Sequence, residues 1–186
     1  MKVKHIVLIA AMLPGFAFAE CALTAGGLAS PSGTSFNGAA ACMGGSSANI
    51  SVNGPLTVSS TKIESVSVNG PLEVTDSSIG SGSVAGSVDA KNTHLGKFTV
   101  SGNIDMDNSS LEDVTLSGSA HFNHVKVDNI TASGSSHCSN GSRIYLNNDS
   151  VVSGNITFTN GDEGKVFVSK DSKILGKVSG GTIEHQ

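Results

Sequence analysis

The sequence predicts an all-β chain that folds as a single-domain parallel β-solenoid. Three observations lead to this fold class. A glycine recurs every sixteen residues, apolar residues alternate with polar ones on either side of it, and each repeat ends in residues typical of turns. A fixed short period with strand-type alternation indicates one small unit stacked on itself, because such a unit cannot bury its apolar face alone.

The first nineteen residues have the features of an export signal. Lys2 and Lys4 precede an apolar run, and a small-x-small cleavage site ends at Ala19. A transmembrane anchor is the poorer interpretation, since the run is short and Pro14 interrupts it. We therefore expect residues 1–19 to be a signal peptide and the mature chain to be exported by a bacterium to the periplasm, cell surface or extracellular space. No later segment is apolar for long enough to predict a transmembrane span.

The charge balance argues against two classes of partner. The chain has 11 Lys and Arg, of which Lys2 and Lys4 fall in the signal, against 15 Asp and Glu. Nucleic acid and anionic membrane both require a basic footprint, so neither is expected as a partner. The sequence contains no P-loop, HExxH or GxSxG motif, and we expect no cofactor.

Residues 20–49 lack the sixteen-residue pattern and are predicted to form a Gly/Ser/Ala-rich N-terminal cap or tether over the first coil's edge. Cys21 and Cys42 flank this segment. A disulfide between them would suit an oxidising compartment and would close a loop of about twenty residues, a stabilisation of about 3 kcal/mol. Cys138, placed in an inward column of the repeat, is expected to be buried and free.

Residues 50–186 are predicted to form the solenoid. Counted from Ile50, positions 1, 3, 7, 9 and 14 of each repeat are apolar and should face the core, and positions 10 to 13 have turn chemistry. Position 5 is a structural glycine, expected at a bend between two strands, and position 14 starts a short third strand. The structural glycines are Gly54, Gly70, Gly86, Gly102, Gly118 and Gly134.

The pattern predicts about eight coils of sixteen residues. Looser copies around Gly154 and Gly176 continue the series, with insertions in the coils that start at Ile130 and Ser150. Both insertions are assigned to the turn region, where repeat proteins accept extra residues. A right-handed β-helix is expected, because parallel crossover connections are right-handed in nearly all proteins.

The phrases ISVNGPLTV and VSVNGPLEV, stacked at sixteen residues over 50–183, resemble the bactofilin or polymer-forming domain. They are also similar to adhesin-type β-helix repeats. The resemblance to bactofilins implies a short right-handed β-helix that polymerises end to end without nucleotide. The export signal is a departure from the cytoplasmic members of that family.

Position 8 carries the most specific set of side chains, which should point outward in a line, one per coil: Thr57, Glu73, Asp89, Asp105, His121, His137 and Thr157. Asp105, His121 and His137 are the candidate metal ligands, because two imidazoles and a carboxylate would lie on successive coils about 4.8 Å apart. The alternative is an exposed polar ladder in which Asp105 pairs with His121.

Two other functions, a polysaccharide-active enzyme and an ice-binding protein, have less support in the sequence. Asp89 and Asp105 are expected on adjacent coils, at a separation that a polysaccharide-active enzyme could use. No long loop encloses them, so we expect the chain to have no enzymatic activity. Ser and Thr at positions 2 and 4 form a flat hydroxyl strip of the kind used to bind ice, although half of it is Ser and Asn.

The expected function is that of an exported, non-catalytic structural or adhesive protein. The last coil ends in strand chemistry at Ile183 with no covering segment, which favours self-association through its edge. The alternative is a secreted binding protein or effector that recognises a glycan or a host protein surface through the loops after His137 and Phe158.

Overall fold

The computed structural model describes residues 20–23, 34–133, 141–159 and 164–186. Within these residues all regular elements are β-strands, so the all-β prediction is confirmed. They include no helix long and apolar enough to span a membrane. The signal peptide, Gly134, His137 and Cys138 lie outside the described residues.

The described strands form two sheets. The front sheet has ten strands: β1 (Glu20–Leu23), β3 (Ala40–Met43), β5 (Leu56–Ser59), β7 (Leu72–Thr75), β9 (Val88–Lys91), β11 (Ile104–Asp107), β13 (Ala120–Asn123), β15 (Arg143–Asn147), β18 (Gly164–Val168) and β21 (Gly181–His185). The back sheet comprises β2 (Thr34–Asn37), β4 (Ser46–Asn53), β6 (Lys62–Val68), β8 (Ser78–Val84), β10 (His94–Val100), β12 (Ser110–Leu116), β14 (Lys126–Ser133), β16 (Val151–Val152), β17 (Ile156–Thr159), β19 (Lys173–Ile174) and β20 (Val178–Ser179).

Successive coils pair in parallel and in register, so each residue lies over its counterpart one repeat away. Val100, for example, lies between Val84 and Leu116, and all three are buried. The predicted inward positions 1, 3, 7, 9 and 14 form the core almost without exception. The parallel β-solenoid is therefore confirmed, with about nine turns instead of the expected eight.

Position 14 does not start a separate third strand in the regular coils. One seven-residue strand, such as β6, carries positions 13 to 3, with inward side chains at positions 14, 1 and 3. Two consecutive outward-facing residues, Glu64 and Ser65, separate Ile63 from Val66 and bend the strand around the core. The back sheet therefore supplies two sides of each coil, and the front sheet supplies the remaining side.

The solenoid begins at Thr34, before the predicted boundary at residue 50. β2 pairs in parallel with β4, and β3 with β5, each sixteen residues apart, and Phe36 and Cys42 are buried in the core. The pattern was missed because threonine and alanine stand at positions where later coils have larger apolar residues. Of the predicted cap, β1 does cover an edge: it pairs antiparallel with β3.

The last two full coils have a different register from the predicted one. Ile156 pairs with Ile130 and Val178 pairs with Ile156, so Thr157 belongs to position 2 of the back sheet. The coil spacing rises to 26 residues between Asn129 and Asn155, then is 22 between Asn155 and Lys177. In the sequence most of the extra residues fall between β14 and β15 and between β17 and β18, and not in the predicted turn region. Gly154 and Gly176 are consequently not position-5 glycines.

This register also removes Cys138 from its predicted column. The residue paired with Phe122 in the next coil is Leu146, and Ile144 pairs with Ala120. Leu146 and Ile144 are buried, so they occupy the positions 9 and 7 that the repeat had assigned to Cys138 and Ser136.

The glycine corner is a close stack of backbones. A Cβ on Gly102 would lie 2.5 Å from the carbonyl oxygen of Gly86, nearer than any real side chain approaches. Corresponding clashes, at 2.3 to 2.5 Å from the glycine carbonyl of the preceding coil, arise at Gly54, Gly70, Gly86 and Gly118. These glycines are thus required by the spacing between coils, because no side chain fits between them.

Position 12 forms a buried column, overlooked by the turn assignment, in which every member except Val125 is a hydroxyl: Thr61, Ser77, Thr93, Ser109, Val125, Ser150 and Ser172. The Ser77 hydroxyl donates to the Thr75 carbonyl at 2.7 Å and accepts the Thr61 amide at 3.0 Å. Each hydroxyl of this kind satisfies backbone groups that the tight turn leaves without a ladder partner, which is why a polar residue is tolerated inside the core.

Position 11 carries the left-handed residue of each turn. Asp76, Asn92 and Asn108 have φ near +50°, a conformation that Asn and Asp tolerate better than other side chains do. Their side chains bond from coil to coil: the Asn92 amide donates to Asp76 at 3.1 Å, and that of Asn108 donates to Asn92 at 2.6 Å. These residues therefore form a ladder of side chains that stabilises the turns.

Cys42 is disulfide-bonded, and Cys21 lies directly opposite it in the β1–β3 register. Residues facing each other across antiparallel strands have Cα atoms about 4.5 to 5.5 Å apart, within the range that a disulfide spans. This register supports the Cys21–Cys42 pairing, which stays a prediction.

Cys21→Ser is expected to lower the free energy of unfolding by about 3 kcal/mol, since it opens a loop of about twenty residues and releases β1. Urea denaturation followed by circular dichroism measures the loss. Cys138→Ser is the matched control and should leave the linkage unchanged in non-reducing peptide maps. A Cys42–Cys138 linkage in those maps would contradict the assignment.

Candidate functional site

The outward face of the front sheet carries one continuous column at position 8. In register order its members are Ala41, Thr57, Glu73, Asp89, Asp105, His121, Tyr145, Phe167 and Glu184. The prediction is right as far as His121. Beyond it Tyr145 takes the place expected for His137, and Thr157 lies in the other sheet.

His121, Tyr145 and Phe167 form a stack of rings along the solenoid axis. The ring centroids of His121 and Tyr145 are 4.4 Å apart with 11° between their planes, and those of Tyr145 and Phe167 are 4.7 Å apart with 9°. Because the faces of neighbouring rings cover each other, the stack presents ring edges to solvent. It is therefore a poor platform for a sugar ring, which stacks on an exposed aromatic face.

Two basic side chains accompany the ring stack. Arg143 and Lys165 lie at position 6, two residues before Tyr145 and Phe167 on the same strands. The Lys165 ammonium contacts the Glu184 carboxylate at 2.7 Å, and both groups are about half exposed. Arg143 has no ion pair with any residue that the structure describes. This half of the front face is therefore basic and aromatic.

The other half of the same column is acidic. Glu73, Asp89 and Asp105 are exposed on three successive coils, and among the described residues the one ion pair that any of them makes joins Asp89 to Lys91 at 3.8 Å. Like charges on neighbouring strands repel each other, so this arrangement does not stabilise the isolated chain. The front face thus changes sign along its length, between Asp105 and His121.

The predicted metal site has only two of its three candidates in the described part of the chain. Asp105 and His121 are neighbours in register, whereas His137 lies outside it. Among the described residues no group of three His, Cys, Asp or Glu side chains converges as metal ligands would. The metal assignment stays a prediction.

A shallow polar groove of about 820 Å³ runs along the turns on the edge of the solenoid. It is lined by the side chains of positions 11 to 13, including Asp76, Asn92 and His94. Most of these groups already bond to each other or to backbone; the His94 ring, for instance, is 2.8 Å from the Ser110 hydroxyl. The side chains that line the groove therefore serve to stabilise the stacked turns.

Core positions of the C-terminal coil are partly exposed to solvent. Ile174 and Val178 are only partly buried, and Ile183, at position 7, is 45% exposed. Leu175 is 68% exposed, and a cavity of about 510 Å³ is lined by Val168, Ile174, Leu175 and Ile183. In the part of the chain that the structure describes, the end of the solenoid is therefore an apolar surface bordered by the edges of β20 and β21, which pair on one side with β17 and β18.

Arg143, Tyr145, Lys165 and Phe167 were not identified from the sequence. A signal for them was present, because the segments RIYLN and KVFVS alternate in the same phase and lie 22 residues apart. Aligning them with each other, instead of with the glycine repeat, would have placed both aromatic residues in one outward column.

No protein-family model, curated protein or solved structure matches this chain. The resemblance to bactofilin and adhesin-type repeats accordingly holds at the level of a parallel β-solenoid fold.

Proposed function

We propose that this chain is an exported, non-catalytic structural or adhesive protein of the bacterial envelope or extracellular space, which associates with a second copy through its C-terminal coil. The observation that carries the proposal is the difference between the two ends. At the N-terminal end β1 occupies the edge of β3, whereas at the C-terminal end β21 is the last strand of the front sheet.

The free edge has a defined set of amide donors. Lys177 and Gln186 donate toward the preceding coil, to the Asn155 side chain and the Val168 carbonyl. Successive amides of a strand point in opposite directions, so those of Val178 and Ile183 point away from the solenoid. An unpaired edge of this kind, beside exposed apolar side chains, promotes pairing with another chain.

A tail-to-tail arrangement fits this end better than head-to-tail stacking. β1 obstructs the front-sheet edge that head-to-tail stacking would need, while two C-terminal edges can meet about a two-fold axis. Such a contact closes on itself and makes a dimer.

The double change Val178→Pro/Ile183→Pro tests the proposal. It removes two amides that face outward and leaves the bonds to the preceding coil, so the solenoid should stay folded while the dimer dissociates at least tenfold more readily. Sedimentation equilibrium at tens of micromolar measures the dimer, and circular dichroism checks the fold.

Val178→Thr/Ile183→Thr is the matched control. It keeps both amides and reduces only the apolar surface, so it separates strand pairing from apolar contact. An unmodified chain that sediments as a monomer at these concentrations would contradict the proposal, as would a proline variant that dimerises as tightly as the unmodified chain.

One observation favours the alternative, a secreted protein that binds a glycan or a host protein surface. The two insertions immediately precede β15 and β18 in the sequence, and these two strands carry the basic and aromatic half of the front face. A monomer that binds immobilised glycans would support this alternative.

A further inference from the structure

We propose that the front face is a second self-association surface, through which two copies pack face to face with their solenoid axes antiparallel. The acidic half of each copy then meets the basic and aromatic half of the other. This inference does not depend on the C-terminal contact, because it concerns a different surface of the solenoid.

The order of residues in the column provides the match. A two-fold axis parallel to the strands, passing between the coils of Asp105 and His121, reverses the direction of the solenoid. It places Asp105 opposite His121, Asp89 opposite Tyr145, and Glu73 opposite Phe167 of the second copy. The same axis brings Glu73, Asp89 and Asp105 to the half whose one acidic column member, Glu184, lies at its far end opposite Thr57.

The long basic side chains complete the pairing. Arg143 shares a coil with Tyr145 and therefore faces the coil of Asp89 in the second copy. Lys165, whose ammonium contacts Glu184 in its own chain, shares a coil with Phe167 and faces the coil of Glu73, so it can bridge the two carboxylates. Arginine and lysine reach across one strand position, and charge-assisted hydrogen bonds of this kind fix the register of two surfaces.

A second copy fits this surface better than an unrelated partner. Both complementary halves lie on one face, and their charges repeat with the same spacing of about 4.8 Å, so two identical solenoids stay in register over the whole contact. In the parallel orientation the acidic halves would face each other and repel. Charge complementarity therefore selects the antiparallel pair.

The size of the surface sets the expected strength. Six coils, from Glu73 to Phe167, span about 24 Å along the axis, and strands of four residues are about 13 Å long. This footprint of about 300 Å² per copy is smaller than that of a stable interface, so we expect a weak, transient dimer with a dissociation constant of the order of 100 μM that rises with salt. Two different two-fold contacts on one chain, at the tail and on the side, would together build an open assembly.

The experiment uses the Val178→Pro/Ile183→Pro chain, in which the C-terminal contact is removed. Sedimentation equilibrium should find a salt-sensitive dimer of this chain at tens to hundreds of micromolar. Glu73→Lys/Asp89→Lys and Arg143→Glu/Lys165→Glu, each made in this background, should weaken the dimer at least tenfold. An equimolar mixture of the two charge variants should restore it, because the reversed charges again face opposite ones.

Lys177→Glu, a change outside the front face, is the matched control and should leave the dimer unchanged. A background chain that remains monomeric throughout this range would overturn the proposal. So would charge variants that dimerise as tightly as the background, or a mixture of folded variants without restored association. Binding of a sulfated glycan to a strictly monomeric chain, lost in Arg143→Glu/Lys165→Glu, would assign the surface to a glycan instead.

Discussion

Val100→Asp is expected to lower the free energy of unfolding by more than about 4 kcal/mol. Val100 is 1% exposed and lies between Val84 and Leu116 in a column without polar groups. A carboxylate there loses its hydration and finds no partner. Urea denaturation followed by circular dichroism measures the loss.

Thr99→Asp is the matched control on the same strand. Thr99 is exposed and lies between Ser83 and Thr115, so the carboxylate stays in water and the change should cost less than about 1 kcal/mol. Equal losses at residues 99 and 100 would mean that the inward and outward faces of the back sheet are assigned wrongly.

Gly102→Ala is expected to destabilise the chain by about 3 kcal/mol or more, although it adds a single methyl group. The new Cβ would lie 2.5 Å from the Gly86 carbonyl oxygen and 2.8 Å from its carbon. These are backbone atoms held by both sheets, so they cannot move aside without separating two coils. The midpoint of urea unfolding measures the effect.

Ser101→Ala, the preceding residue in the same corner, is the control and should change the free energy of unfolding by less than about 0.5 kcal/mol, because Ser101 is exposed. If Gly102→Ala were equally mild, the coils would not approach each other at the corner as closely as the structure has them.

The core of the regular coils was predictable from the sequence. Period-two alternation around a recurrent glycine identified the inward residues of the repeats from Ile50 to Val127, and nearly all are buried. The first coil was missed because Thr34 and Ala40 replace its larger apolar residues. The buried hydroxyl column was missed because serine and threonine are also common in exposed turns.

In the last coils the sequence pattern predicts the wrong pairing register. The segment SVVSGNITF alternates around Gly154 as the regular repeats do, yet Ile156 stacks on Ile130 and not on a position-7 residue. Alternation specifies which residues face inward but not which strand each will pair with. Once the spacing departs from sixteen, only the contacts between coils select the register.

The residues of the candidate site were likewise predictable where the spacing is sixteen and not predictable beyond the insertions. The acidic residues Glu73, Asp89 and Asp105 were identified from the sequence, because they fall where the spacing is regular. Tyr145 and Phe167 were not, because insertions separate them from the glycine repeat. The front face was therefore predicted as a polar ladder, and its change from acidic to basic and aromatic became visible only in the structure.

Local chemistry accounts for the class of fold, the inward columns and the glycine corner, since each follows from the volume and polarity of residues sixteen apart. Contacts between coils account for the first coil, the register of β15 to β21, the ring stack and the exposed apolar end. Those features depend on which strands become neighbours, and the free energy that selects neighbours comes from packing across the whole solenoid.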